Sequence, residues 1–152
     1  MSSLAAAGAG FLAAVLWFDL MFDVQVRGQG GAEPAPGALA SVCAYYRRVT
    51  TDAAPMSGLI SAVMALTIGA LVAEIATGRA PSWTGWLSLC AAASAIGLAG
   101  ARTVRNAKAL GQARAPGAGE LASARSVLRD HIYCFAAMSV VVAVQVLSLI
   151  HI

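Results

Sequence analysis

Charge is what this chain has least of. Only 11% of its 152 residues are Asp, Glu, Lys or Arg, against roughly 25% in soluble globular domains. Apolar side chains make up 59%, and mean hydropathy is positive. That balance favours the bilayer over water as solvent. Lysine is nearly absent, since Lys108 is the only one among ten basic residues. The preference for arginine, with abundant alanine and glycine, points to a GC-rich bacterial genome. The length suits one domain and not two.

Paired cysteines are missing as well. Cys43, Cys90 and Cys134 form no CxxC motif and no metal-ligand spacing, and their number is odd. A quinone-linked disulfide enzyme of the four-helix type is thereby excluded. Cys90 and Cys134 fall inside apolar segments and read as small buried hydrophobes. There is no phosphate loop, no nucleophile elbow and no nucleic-acid motif. No histidine pair lies at one depth within an apolar segment, so no haem is expected. No cofactor of any kind is implied.

Four apolar stretches remain, each long enough to cross a bilayer at about 20 residues per crossing. They run from about Leu4 to Phe22, Met56 to Thr77, Trp83 to Ala101 and Ile132 to Ile150. The first lacks a basic flank and a small-residue cleavage site, and two aspartates stand at its exit, so it reads as a retained span. Alternating crossings place Arg27, Arg47, Arg48, Arg102, Arg105, Lys108, Arg114, Arg125 and Arg129 on one side. Only Arg79 falls on the other. The positive-inside rule makes the first side cytoplasmic. Trp83 and Trp86 then sit at the outer interface, and Tyr45 and Tyr46 at the inner one.

The expected fold is all-α: a four-helix integral membrane bundle in a bacterial inner membrane. One domain covers residues 1–152, both termini face outside, and short helical extensions reach into the cytoplasm. Residues 28–37 read as a loop, and 38–52 have helical character. Span four begins as early as Glu120, because Leu121, Leu128, Ile132 and Phe135 recur near helical spacing. Small residues supply close helix contact in lipid. Ala93, Gly97 and Ala101 form one such stripe, and Gly58, Ala62, Ala65 and Gly69 another. They serve either the monomer or a homo-oligomer.

All four spans bring ionisable groups to the arginine-rich end. Asp19 and Asp23 lie at i and i+4 on span one, with Arg27 continuing that face if the helix persists. At about 1.5 Å per residue, Asp19 falls about one turn inside the hydrocarbon, where a carboxylate requires a partner and marks a candidate site. Arg102, Arg105 and Asn106 close span three. Arg129 and His131 open span four, beside Asp130. Arg48 and Asp52 precede span two at i, i+4.

Two readings compete. In the first, the arginines are there for topology and Asp19 pairs with Arg102 or Arg105 to lock the bundle. In the second, a cytoplasm-facing pocket binds an anionic or lipid-like ligand, clamped by arginine, with Asp19 or His131 doing acid–base work. A metal held by Asp19, Asp23 and His131 is disfavoured by the surrounding arginines. No ionisable group falls at mid-membrane, which argues against an ion-coupled transporter. Glu74 lies near the outer end, and Gln145 and the serines of the spans read as interhelical hydrogen-bonding groups.

The stretch RTVRNAKAL from Arg102 to Leu110, the Arg129–His131 opening of span four and the order of parts resemble the anthrone-oxygenase-like family of small four-helix membrane proteins. Its best-known members are linked to oxidation of polyketide anthrones. The resemblance covers topology and implies no particular catalytic residue. The motif of the membrane glutathione-transferase superfamily, which follows the first span, is not found here. Function is thus divided between a non-enzymatic scaffold, accessory subunit or small-ligand binder and a membrane enzyme acting on a lipid, quinone or polyketide-like substrate.

Overall fold

A computed structural model describes residues 2–28, 35, 37–52, 54–78, 81–114 and 117–150. Regular structure among them is helical throughout. Helix α1 spans Ser2–Asp23, α2 Ala38–Arg47, α3 Ala54–Thr77, α4 Ser82–Leu98, α5 Val104–Gln112 and α6 Ala118–Ile150. A 3₁₀ turn, Val24–Arg27, follows α1, and a π turn, Arg48–Asp52, follows α2. A second π turn, Ala99–Thr103, joins α4 to α5, so these form one continuous helical run of 31 residues.

Four helical runs are long and apolar enough to cross a membrane: Ser2–Arg27, Pro55–Thr77, Ser82–Gln112 and Ala118–Ile150. Helix is the expected solution there, because it satisfies every backbone N–H and C=O inside the segment. Helix α3 ends at Gly78, whose φ of +59° is left-handed backbone that glycine adopts without strain. Charge fixes where the apolar runs stop, while the helices go further. Helix α6 starts at Ala118, close to the expected Glu120, and α5 carries the third run beyond Ala101.

Helix α1 packs on α3 and α6, and α4 packs on the same two, so neighbours around the ring are antiparallel. The transmembrane core is built of small and medium side chains: Ala5, Ala9, Leu12, Ala70, Leu71, Ala92, Ala95, Cys134, Met138 and Val141. A second core lies at the arginine-rich end. There Val42, Cys43 and Tyr46 of α2 meet Ala107 and Leu110 of α5, Val26, and Ala124, Val127 and Leu128 of α6.

Three expectations change. Of the two roles open to the small-residue stripes, contact within the monomer is not the one seen: Gly58, Ala62, Ala65 and Gly69 are exposed, as are Ala93, Gly97 and Ala101. A Cβ at Gly58, Gly69 or Gly97 would meet nothing within 4 Å. Close approach comes from elsewhere. A Cβ on Gly8 would collide with Thr67 Oγ1, and one on Gly85 would fall 2.7 Å from Ile75 Cγ1. Secondly, Cys134 is buried as expected while Cys90 is exposed on the bundle's outer face. Thirdly, helix α1 ends at Asp23 and Arg27 sits in the tighter 3₁₀ turn, exposed, so it does not continue the Asp19–Asp23 face as an α-helix would. The interior of the loop at 28–37, and Arg79 and Pro116, lie outside the described residues.

Candidate functional site

The site begins with the last turn and a half of α1. Asp19 and Asp23 project from one face, one helical turn apart. Helix α2 docks beside them by burying Val42, Cys43 and Tyr46. That docking presents two consecutive tyrosines to two carboxylates. Tyr45 Oη donates to Asp19 Oδ1 at 2.5 Å, and Tyr46 Oη donates to Asp23 Oδ1 at 2.7 Å. The Tyr45 ring also stacks on Phe22, with centroids 4.1 Å apart and planes within 8°.

Asp23 has no exposed surface and makes a second contact. His131 Nδ1 of α6 lies 2.6 Å from Asp23 Oδ2. A carboxylate at that distance fixes the ring, with the proton on Nδ1 directed at the oxygen. Three helices therefore meet at Asp23. Burial, then the facing carboxylates, push the phenols of both Tyr45 and Tyr46 up from the ordinary tyrosine range. Both stay protonated donors through physiological pH.

A second carboxylate is settled one residue away. Asp130, 1% exposed, takes both Nε (3.0 Å) and Nη2 of Arg102, and the hydroxyl of Thr103 at 3.0 Å. Consecutive residues of an α-helix diverge by about 100°. Arg102 and Thr103, both within the π turn Ala99–Thr103, nevertheless both reach Asp130 of α6. The fork of Arg102 suits a bidentate carboxylate. Arg47 closes the α2–α5 junction, donating to Gly111 O at 3.1 Å and Ala113 O at 2.7 Å, where α5 runs out of internal partners for its carbonyls.

Of the residues singled out from sequence, the structure gathers Asp19, Asp23 and His131, and places Arg102 beside them on Asp130. Asn106 turns to Ser126 of α6 at 3.4 Å. Arg48, Asp52, Arg105 and Arg129 are exposed and stay outside the bonded cluster. The expected ion pair of Asp19 with Arg102 or Arg105 is not formed. Arg102 is taken by the nearer Asp130, and Asp19 is served by a phenol instead. Among the described residues, no three His, Cys, Asp or Glu side chains are grouped to hold a metal. A shallow groove of 430 Å³ opens beside Gln25, Ala35, Gly37 and Ala38, and its lining includes none of the bonded carboxylates.

Sequence reasoning missed Tyr45, Tyr46, Thr103 and Asp130 as members of the network. Tyr45 and Tyr46 carried a signal, because two donors at the depth of two aspartates are potential partners as well as interfacial anchors. It also treated the opposite end as nearly empty. There Glu74 is 2% exposed, inside the bundle and not at its surface. Comparison with protein-family models, curated proteins and solved structures finds no match for this chain.

Proposed function

We propose that this chain is a non-enzymatic, multi-pass protein of a bacterial inner membrane, acting as a scaffold, accessory subunit or small-ligand binder. The observation that carries this reading is the use of Asp19, Asp23 and Asp130, the carboxylates inside the arginine-rich end, by donors of the same chain. Asp19 has Tyr45, Asp23 has Tyr46 and His131, and Asp130 has Arg102 and Thr103. Groups held this way lock α2, α4–α5 and α6 together. What remains open to a partner is the exposed set Arg48, Arg105 and Arg129, which suits an anionic headgroup or other anionic small molecule.

In this reading the arginine-rich end is cytoplasmic, and Ser2 and Ile150 face outside. A single cysteine at position 112, in a chain cleared of its own three, reports the orientation. A membrane-impermeant maleimide added to intact cells leaves it unlabelled, and labelling from outside inverts the topology.

A second reading is favoured by one contact. An imidazole pinned through Nδ1 by a buried aspartate is the base-and-orienter pair of acid–base enzymes. It fits an enzyme acting on a lipid, quinone or polyketide-like substrate, as the resemblance to anthrone-oxygenase-like proteins implies. His131→Gln separates the two, because its amide keeps a donor for Asp23 and cannot act as a base. If H131Q restores the phenotype of a deletion strain, the lock is what matters. If H131Q is present at normal levels in the membrane and fails to restore it, the enzyme reading takes over.

A further inference from the structure

The terminal end of the bundle, where α1 and α4 begin and α3 and α6 end, holds a buried polar set that no apolar packing requires. Glu74 of α3 accepts from Ser2 Oγ of α1 at 2.9 Å through Oε2. Its Oε1 accepts from Gln145 Nε2 of α6 at 3.3 Å. The same Gln145 nitrogen reaches Ser88 Oγ of α4 at 3.0 Å. Each of the four spanning helices thus brings an oxygen to one level.

The set is incomplete within the chain. Gln145 has no exposed surface, yet its Oε1 has no hydrogen-bond partner. Ser148, one turn further along the same face of α6, is 6% exposed, and its hydroxyl also lacks one. Among the described residues, neither ion pair involves Glu74. Buried polar atoms are normally satisfied, and a buried carboxyl is normally compensated. The amide nitrogen of Gln145, fixed between Glu74 and Ser88, keeps its unpartnered oxygen inside the same interior.

We propose that Glu74, Gln145 and Ser148, with Ser2 and Ser88, form an internal site for one sodium ion. The donors are all oxygen, which selects a hard cation and disfavours zinc or copper. Calcium sites gather six to eight oxygens, commonly from several carboxylates, and a single carboxylate balances a single positive charge. Ser2 Oγ and Glu74 Oε2 stand 2.9 Å apart, a close oxygen pair that suits a small ion over potassium. The core beneath the site, from Ala70 and Leu71 to Ala92 and Ala95, is apolar. The ion therefore exchanges at the terminal end and pins the four helices there.

The test is thermal unfolding of the purified full chain in detergent, begun in sodium-free choline buffer and titrated with NaCl, KCl or choline chloride. Sodium is expected to raise the melting midpoint saturably by several degrees, as a ligand of the folded state does. Choline should not. The rise should vanish in Glu74→Gln and shrink in Ser148→Ala, which removes only an unpartnered hydroxyl and keeps the fold available if E74Q does not assemble. Sodium should also protect Glu74 from a carbodiimide, which modifies protonated carboxyl groups. Equal responses to sodium and choline, with Glu74 modified equally at all sodium concentrations, would overturn the proposal and leave Glu74 holding only a proton. A sodium response that survives unchanged in S148A and E74Q would overturn it as well.

Discussion

At the arginine-rich end, Asp23 and Asp130 are contacted by Tyr46, His131, Arg102 and Thr103. At the terminal end, Glu74 is met by Ser2 and Gln145, while Gln145 Oε1 and Ser148 Oγ are left over. Both ends bury carboxyl groups, and both draw on several helices. They differ in closure. The crowded end satisfies its buried acids from within and ends in a second apolar core, whereas the sparse end retains unused valence. Number of charges is therefore a poor guide to where a small membrane protein leaves buried polar groups unmatched.

The sharpest way to break this contrast is Asp23→Ala. It leaves the Tyr46 phenol and the His131 ring buried without their shared acceptor. Each buried donor left without its acceptor costs about 1–3 kcal/mol; with two orphaned, reversible unfolding in mixed micelles should register a loss of about 2–6 kcal/mol. A loss below about 1 kcal/mol would mean that the network does not hold the end together. Tyr46→Phe should follow at about 1.5–3 kcal/mol, the range for a hydrogen bond to a charged group. Tyr45→Phe should cost less, because Tyr45 is only half-buried.

Gly8→Ala probes the other half of the molecule. Its new methyl would press on Thr67 across the α1–α3 seam, with a penalty of about 1–3 kcal/mol typical of overpacking. Gly97→Ala, on the open face of α4, should leave stability unchanged in the same assay. The smallest effect is the most discriminating. In sodium-free buffer, Ser148→Ala should be neutral or stabilise by up to about 1 kcal/mol, since an orphaned buried hydroxyl is removed. Clear destabilisation there would show that Ser148 already has a partner.

Alkaline pH tests the crowded end by another route. The folded-state pKa of Tyr46 is raised, chiefly by burial and then by Asp23. A raised pKa contributes stability that is present in full below the unfolded value of about 10, and that is lost as pH climbs from there towards the folded value. Docking of α2, followed by hydrogen exchange of its amides from Ala38 to Arg47, should hold from pH 6 to about 10 and weaken above it. Tyr46→Phe should reduce that alkaline sensitivity, and the double variant Tyr45→Phe/Tyr46→Phe should remove it, since both phenols are raised.

Much of the architecture was legible in the sequence because lipid imposes a simple rule: a run of apolar residues becomes a helix. Hence the four helical runs and the early start of α6 followed from composition and spacing. The aspartates on α1 were legible too, since their depth made a partner obligatory. Identity of the partners was not. Whether Asp19 meets Arg102 or Tyr45 depends on how α2 folds back and on the π turn at Ala99–Thr103, and neither leaves a mark in hydropathy. That the stripes face outward, away from the monomer's own seams, was hidden for a related reason. A small residue reports that a close approach is permitted, while Gly8 and Gly58 look alike until the helix rotation is known. Glu74 was seen as a charge near an end, and its burial became visible only once Ser2, Ser88 and Gln145 stood at the same level.

One measurement addresses the difference between the ends directly: an experimental density map of the chain in a sodium-containing lipid nanodisc, at a resolution that shows ordered water and ions. The account predicts continuous side-chain contacts from Tyr46 through Asp23 to His131, with nothing between them, and compact non-protein density against Gln145 Oε1 and Ser148 Oγ. Density of a lipid or other small molecule wedged between Asp23 and His131, with Glu74, Gln145 and Ser148 packed dry, would contradict it.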